Sequence, residues 1–291
     1  APESNMTFSS MTVNGTLVRN NSSATYEGTI AIGDGGKYVH DVNGGSVPTC
    51  TWSSGSTLEV TGITTATSFS SGGTQSFHHV VWNCPSQTSI FNFGGLTTVN
   101  GNFTLQSTGA SPSSTSCLLL TNSTAITSTV AGNLTLSGGF FAPFGASTAS
   151  SSTLNISGNL TISGGTFDIY RPSSNTGTIN LSGDFSMTSG TLTKGGSGTG
   201  NFNFSKTGTQ TYSKSGGTIS NAINFTVNNG SILSLGTSVI DGTGTFTLNS
   251  GAGLITSNSD GISTSGASGS IQVSGSRTYN TGANYTFNGS S

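Results

Sequence analysis

Between Thr153 and Met187 the chain writes one phrase twice. Thr153-Leu-Asn-Ile-Ser-Gly-Asn-Leu-Thr-Ile162 returns as Thr178-Ile-Asn-Leu-Ser-Gly-Asp-Phe-Ser-Met187, with Thr178 in the place of Thr153. Every apolar position is refilled by another apolar residue, and Thr, Asn, Ser and Gly recur. A repeat of this length, built of short alternating strands and glycine turns, cannot close a core within one copy. It must stack on its neighbours, which is the condition for a solenoid.

A shorter phrase spreads the same idea over the chain. It reads Gly101-Asn-Phe-Thr-Leu105, Gly132-Asn-Leu-Thr-Leu136, Gly158-Asn-Leu-Thr-Ile162, Gly183-Asp-Phe-Ser-Met187, Gly200-Asn-Phe-Asn-Phe204, Ile223-Asn-Phe-Thr-Val227 and Gly244-Thr-Phe-Thr-Leu248. Its third and fifth residues are always large and apolar, so they share one face of a strand, and the fourth is Thr, Ser or Asn and faces the other way. The successive offsets are 31, 26, 25, 17, 23 and 21, which predicts longer coils early and shorter coils late. The fold expected is all-β, a right-handed parallel β-helix of roughly a dozen irregular coils with little or no helix. It forms one continuous solenoid over residues 1–291, aromatic-rich with longer coils over 1–100 and more regular over 101–291. Period-two segments at Met6, Phe8, Met11 and Val13 and at Tyr285 and Phe287 read as strands at its two ends. Asn14-Gly15 reads as a tight turn after the first of these.

Composition decides which functions to weigh. Only 5% of the residues are charged, the net charge is −2, and seven Lys plus Arg are scattered along 291 positions. That leaves no cluster to neutralise phosphates, so no nucleic-acid partner is expected. No run of 18 apolar residues predicts a membrane span. Little charge beside 16 Phe and 44 Gly fits an ordered exterior protein. The start at Ala1 is what a removed secretory leader would leave.

Three cysteines, Cys50, Cys84 and Cys117, sit at nearly equal steps of 34 and 33. Two readings stand: a Cys50–Cys84 disulfide between stacked coils, or three buried small hydrophobes. The histidines His40, His78 and His79 make no ligand spacing with them, so neither metal nor cofactor is expected. Trp52 and Trp82 also carry two readings, core filling or a glycan-stacking platform, the latter joined by Tyr38 and Tyr170.

For catalysis, Asp168 and Asp184 on neighbouring coils, with Arg171 and Lys194, form the best constellation, and Asp34, His40 and Asp41 the second. Both have structural explanations: Asp184 stands where sister repeats carry Asn, and Asp34 and Asp41 flank turns. No catalytic residue is assigned. Thr207-Gly-Thr-Gln-Thr211 and Thr243-Gly-Thr-Phe-Thr247 suggest a threonine face of the ice-binding kind, against which stands their lack of constant spacing.

Ordered phrases add a resemblance. Gly36-Lys-Tyr-Val-His40, Asn43-Gly-Gly-Ser-Val-Pro48, Thr51-Trp52, Gln75-Ser-Phe-His-His79 and Trp82-Asn-Cys-Pro85 come early, and Gly266-Ala-Ser-Gly269, Ile271-Gln-Val273, Arg277-Thr-Tyr279 and Ala283-Asn-Tyr285 late. Together they resemble the large secreted surface proteins of Bacteroidota exported by the type IX pathway. That likeness implies an outer-surface location and a β-solenoid, with no assigned chemistry. Cys50 departs from it, standing where a small residue such as Ala is expected, which favours pairing with a neighbour. The sorting domain of that family is not in this sequence.

The function expected is therefore a noncatalytic extracellular structural protein that forms a surface fibre or filament with copies of itself by stacking or strand addition. An adhesin that binds surface glycans is the alternative, and a polysaccharide-active enzyme the second alternative.

Overall fold

A computed structural model describes residues 6–147 and 150–289. Among them there is no helix, and all 25 strand pairings are parallel. The strands stack as a β-solenoid of about 11 turns. One wall is a 12-stranded sheet that begins with Thr16–Arg19 and ends with Asn284–Phe287. A second wall has six strands, from Phe91–Asn92 to Thr218–Ile219, and a third has eight, from Thr98–Val99 to Arg277–Tyr279. A separate three-stranded sheet, Met6–Val13, Tyr26–Ile32 and Cys50–Trp52, precedes the 12-stranded wall in the first coils. Asn14-Gly15 is thus a corner between two sheets rather than a hairpin.

The echo of Thr153 at Thr178 is a stacking register. Thr153 lies beside Thr178, Asn155 beside Asn180, and Leu160 beside Phe185. Inward positions form continuous columns, such as Leu58, Val80, Phe103, Leu134, Leu160 and Phe185 on the 12-stranded wall, each essentially inaccessible to solvent. Rings continue from rung to rung: Phe141 stacks on Phe167 at 5.4 Å between centroids and Phe185 on Tyr212 at 4.8 Å. Each such ring removes apolar area from water that its own coil could not cover.

The expected trend in coil length does not hold. The pairs Leu17–Tyr38, Tyr38–Leu58, Leu58–Val80 and Val80–Phe103 make the first coils about as short as any. The step from Phe103 to Leu134 is long, and so is the last, from Leu254 to Tyr285. The offset of 17 was never a coil. The phrase at 183–187 lies on the 12-stranded wall and the phrase at 200–204 on the eight-stranded wall. One sequence phrase builds two walls, because both need an inward apolar pair after a corner. Length differences collect at two corners: from the 12-stranded to the six-stranded wall the chain runs from Ser107 to Leu118 in the long coil but only from Leu136 to Phe140 in the next, and the corner from the six-stranded to the eight-stranded wall varies as well. The chain takes that corner between Phe141 and Ser152 in one coil and, far more briefly, between Ile219 and Ile223 in a later one.

The glycine that opens the phrase is there because backbones touch. Gly132 donates its N–H to Gly101 O at 2.9 Å, and Gly158 donates to Gly132 O at 3.0 Å. A Cβ on Gly183 would collide with the carbonyl of Gly158. Gly183→Ala is therefore expected to cost about 1–3 kcal/mol, read as a lowered urea midpoint with little change in slope. An exposed substitution such as Ser189→Ala serves as the neutral comparison.

Candidate functional site

The residues of chemical interest fall into three places: the corner column that carries the phrase's second residue, buried polar groups at the other corners, and the two ends of the rod.

At the corner, each side chain accepts a backbone N–H from the next coil. Asn133 N–H donates to Asn102 Oδ1 at 2.9 Å, Asn159 N–H to Asn133 Oδ1 at 2.8 Å, and Asp184 N–H to Asn159 Oδ1 at 2.8 Å. Asp184 continues the column, its Oδ1 taking the N–H of Thr211 and the ammonium of Lys206, both at 3.0 Å. Although burial pulls the other way, these two donors hold its carboxyl below the usual range. His79 begins the column, its Nδ1 accepting the N–H of Asn102 at 2.9 Å. A parallel amide ladder runs outside the eight-stranded wall, from Asn203 to Asn180 and from Asn180 to Asn155, each at 2.9 Å.

The expected catalytic constellation is not brought together. Asp184 immediately precedes a strand of the 12-stranded wall, whereas Asp168 ends a strand of the six-stranded wall. Asp168 is buried and accepts the N–H groups of Gly195 at 2.7 Å and Tyr170 at 3.3 Å, and burial raises its pKa. Lys194 points to the carbonyls of Gly196 and Gly198 at 2.8 and 2.7 Å. Arg171 donates to Cys117 Sγ at 3.2 Å. Each charge thus has a structural partner of its own. Asp34 and Asp41 are likewise turn elements: Asp41 Oδ1 accepts from Thr61 Oγ1 at 2.9 Å, and Asp34 abuts Gly55. The threonines 207–211 and 243–247 lie on different walls, 208–214 on the 12-stranded and 246–248 on the eight-stranded.

The cysteines form no column, and all three are free thiols. Cys50 belongs to the three-stranded sheet, Cys84 follows a strand of the 12-stranded wall, and Cys117 precedes a strand of the six-stranded wall. Equal spacing misled because loops of different length separate the walls. Burial raises the thiol pKa of Cys50 and Cys84 to about 12 and that of Cys117 to about 11, as for small core hydrophobes. Cys50 has a second constraint: the three-stranded sheet stops at its strand. Its orphan N–H is taken by Gln75 Oε1 at 2.8 Å, which also accepts from Trp52 Nε1 at 3.2 Å.

The glycan-stacking reading loses its residues to the core. Trp82, Tyr38 and Tyr170 are each 0% exposed, and Trp52 is half-buried edge-on to Phe77 at 4.9 Å. Alternation within their strands carried that signal.

Two features escaped sequence reasoning. One is a buried polar knot near the first coils. Arg19 reaches the carbonyls of Asn21 at 3.2 Å, Ser22 at 2.6 Å and Ser46. Beneath it the His40 Nε2–H donates to Gly44 O at 2.7 Å, with Tyr38 Oη 3.4 Å from Nδ1. The other is the placement of exposed apolar side chains. Among the described residues the large exposed hydrophobics are Met6 (45%), Val18 (48%), Ile232 (37%), Tyr285 (39%) and Phe287 (60%), and all but Ile232 stand on edge strands at the two ends.

No group of three or more His, Cys, Asp or Glu side chains that could hold a metal occurs among the described residues. No helix there is long and apolar enough to cross a membrane. Comparison of the chain with models of protein families, with curated proteins and with solved structures found no match.

Burial lowers the His40 pKa to about 4, and the nearby Arg19 charge acts in the same direction. Below about pH 6.5 the unfolded chain therefore binds a proton that the folded one refuses. Stability should be flat above that value and fall progressively towards pH 4, by roughly 3 kcal/mol from this group. His40→Gln should flatten the slope in chemical denaturation followed as a function of pH. An unchanged slope would show that His40 does not set it.

Proposed function

We propose that the chain is a noncatalytic structural protein of the cell exterior, a rod that builds a surface fibre by head-to-tail stacking of copies. The observation that carries this reading is the gathering of exposed large apolar side chains on the terminal strands. The strands 16–19 and 284–287 are opposite edges of the same 12-stranded sheet. Because every pairing is parallel, the free edge of one is the complement of the free edge of the other. A second copy placed in line would continue the ladder without reversing direction. Such a contact is heterologous, and it closes on nothing, so it grows an open filament. Tyr285 and Phe287 prolong the inward columns of Leu254 and Thr256, and would enter the core of the next copy as Tyr38 and His40 enter their own.

Location outside the cell is supported by the scarcity of charge, the polar Ser- and Thr-rich walls and the resemblance to exported Bacteroidota surface proteins. Partner chemistry follows from the same facts: another copy of the chain rather than nucleic acid.

Electron microscopy of purified protein tests the assembly. Filaments are expected with an axial repeat of about 50 Å, eleven turns at about 4.8 Å each. Tyr285→Lys combined with Phe287→Lys should leave single rods with unchanged circular dichroism. Wild-type protein that stays monomeric at its highest soluble concentration would overturn the proposal.

A further inference from the structure

The corner column that begins at His79 differs in kind from its continuation. Asn102, Asn133 and Asn159 offer an amide oxygen, which accepts at any ordinary pH, but His79 offers an imidazole nitrogen, which accepts only while neutral. Its neighbour does the same towards the coil below. His78 Nδ1 accepts the N–H of Gly55 at 3.1 Å, and its Nε2 faces Ser54 Oγ at 3.4 Å. The two rings stand edge to face with centroids 4.3 Å apart, and both lean over Gly101, where a Cβ would collide with each Nδ1. One backbone N–H from the coil below and one from the coil above therefore converge on adjacent imidazoles. With Nδ1 accepting in both, the tautomer is the Nε2–H form.

We infer that His78 and His79 form an acid-sensitive seam between the coils at 54–60, 78–83 and 101–107. A proton on His79 Nδ1 replaces an acceptor with a donor that faces the Asn102 N–H, with the His78 ring packed beside it. The charged groups on the neighbouring rungs are few, and each already has its own place. The rung above, Asn102 to Leu105, brings no charge. Below His79 in its column come Thr57 and then Lys37, whose ammonium pairs with Glu59 at 2.6 Å. Asp34, the carboxylate on the side of His78, lies against Gly55. Burial, and secondarily the His78 ring, already lower the pKa of His79, in accord with an environment that disfavours the cation. The seam lies where the aromatic-rich first coils meet the Asn-laddered ones, so acid would loosen the rod at that junction first.

Nuclear magnetic resonance of the full chain reads this directly. On titration from about pH 8 to about pH 5, the Asn102 amide should shift with the midpoint of the His79 ring, below about 6.5. An Asn102 amide with no inflection, or a His79 ring titrating at or above that value, would overturn the seam. His79→Asn supplies the residue type that the next rungs use and should abolish the Asn102 transition while the fold persists. Limited proteolysis gives a second readout. Cleavage near residues 100–102 should be several-fold faster at about pH 5 than at about pH 7.5 in the wild type, and this ratio should fall towards that of a distant site in His79→Asn. The same ratio in both proteins would refute the proposal, whether or not the rod as a whole assembles.

Discussion

Parallel in-register stacking is the interaction on which everything else in this molecule depends. Each coil leaves a row of N–H and C=O groups on both edges, and only the coils above and below can satisfy them without water. Once that register exists, like side chains stand over like. The Phe columns, the Gly corner at 132, 158 and 183, and the Asn ladders are consequences of one translation repeated along the axis. The glycine corner shows how tight the constraint is: the backbones there hydrogen-bond from coil to coil, leaving no room for a methyl group.

The few charges obey the same rule. Asp168, Lys194 and Arg19 are almost wholly buried, a costly state for an ion unless polar partners surround it. At solenoid corners the chain turns away from its ladder, and backbone groups there are free to serve. Gly195 and Tyr170 supply N–H groups to Asp168, while Gly196 and Gly198 supply carbonyls to Lys194. The residues that look most like catalytic groups in the sequence are the ones that finish corners.

Much of the architecture was legible for a physical reason. A period of two with a fixed inward pair, recurring at the distance from Thr153 to Thr178, has few solutions, and stacking is the one that buries those pairs. Asp184 was correctly readable as an Asn equivalent because it occupies the same slot of the phrase. Coil lengths were not legible, because two walls use the phrase and a jump between walls mimics a short coil. The cysteine spacing failed for a related reason: nearly equal separations in sequence cross different numbers of corners, so Cys50 lies on the three-stranded sheet, Cys84 just after a strand of the 12-stranded wall and Cys117 just before one of the six-stranded wall.

The sequence by itself determined that this chain is an all-β solenoid with an apolar interior, since inward and outward positions alternate wherever a strand forms. Only the tertiary structure decided which wall each strand joins, which rings the core consumes, and which apolar side chains are left at the ends. Those properties depend on what lies one rung above or below, a neighbour a whole coil away in sequence, at a distance set by corner loops that carry no regular signal. The echo at Thr153 and Thr178 is legible because both copies cross the same corner, from the eight-stranded to the 12-stranded wall, with a loop of equal length. Elsewhere the register had to be seen.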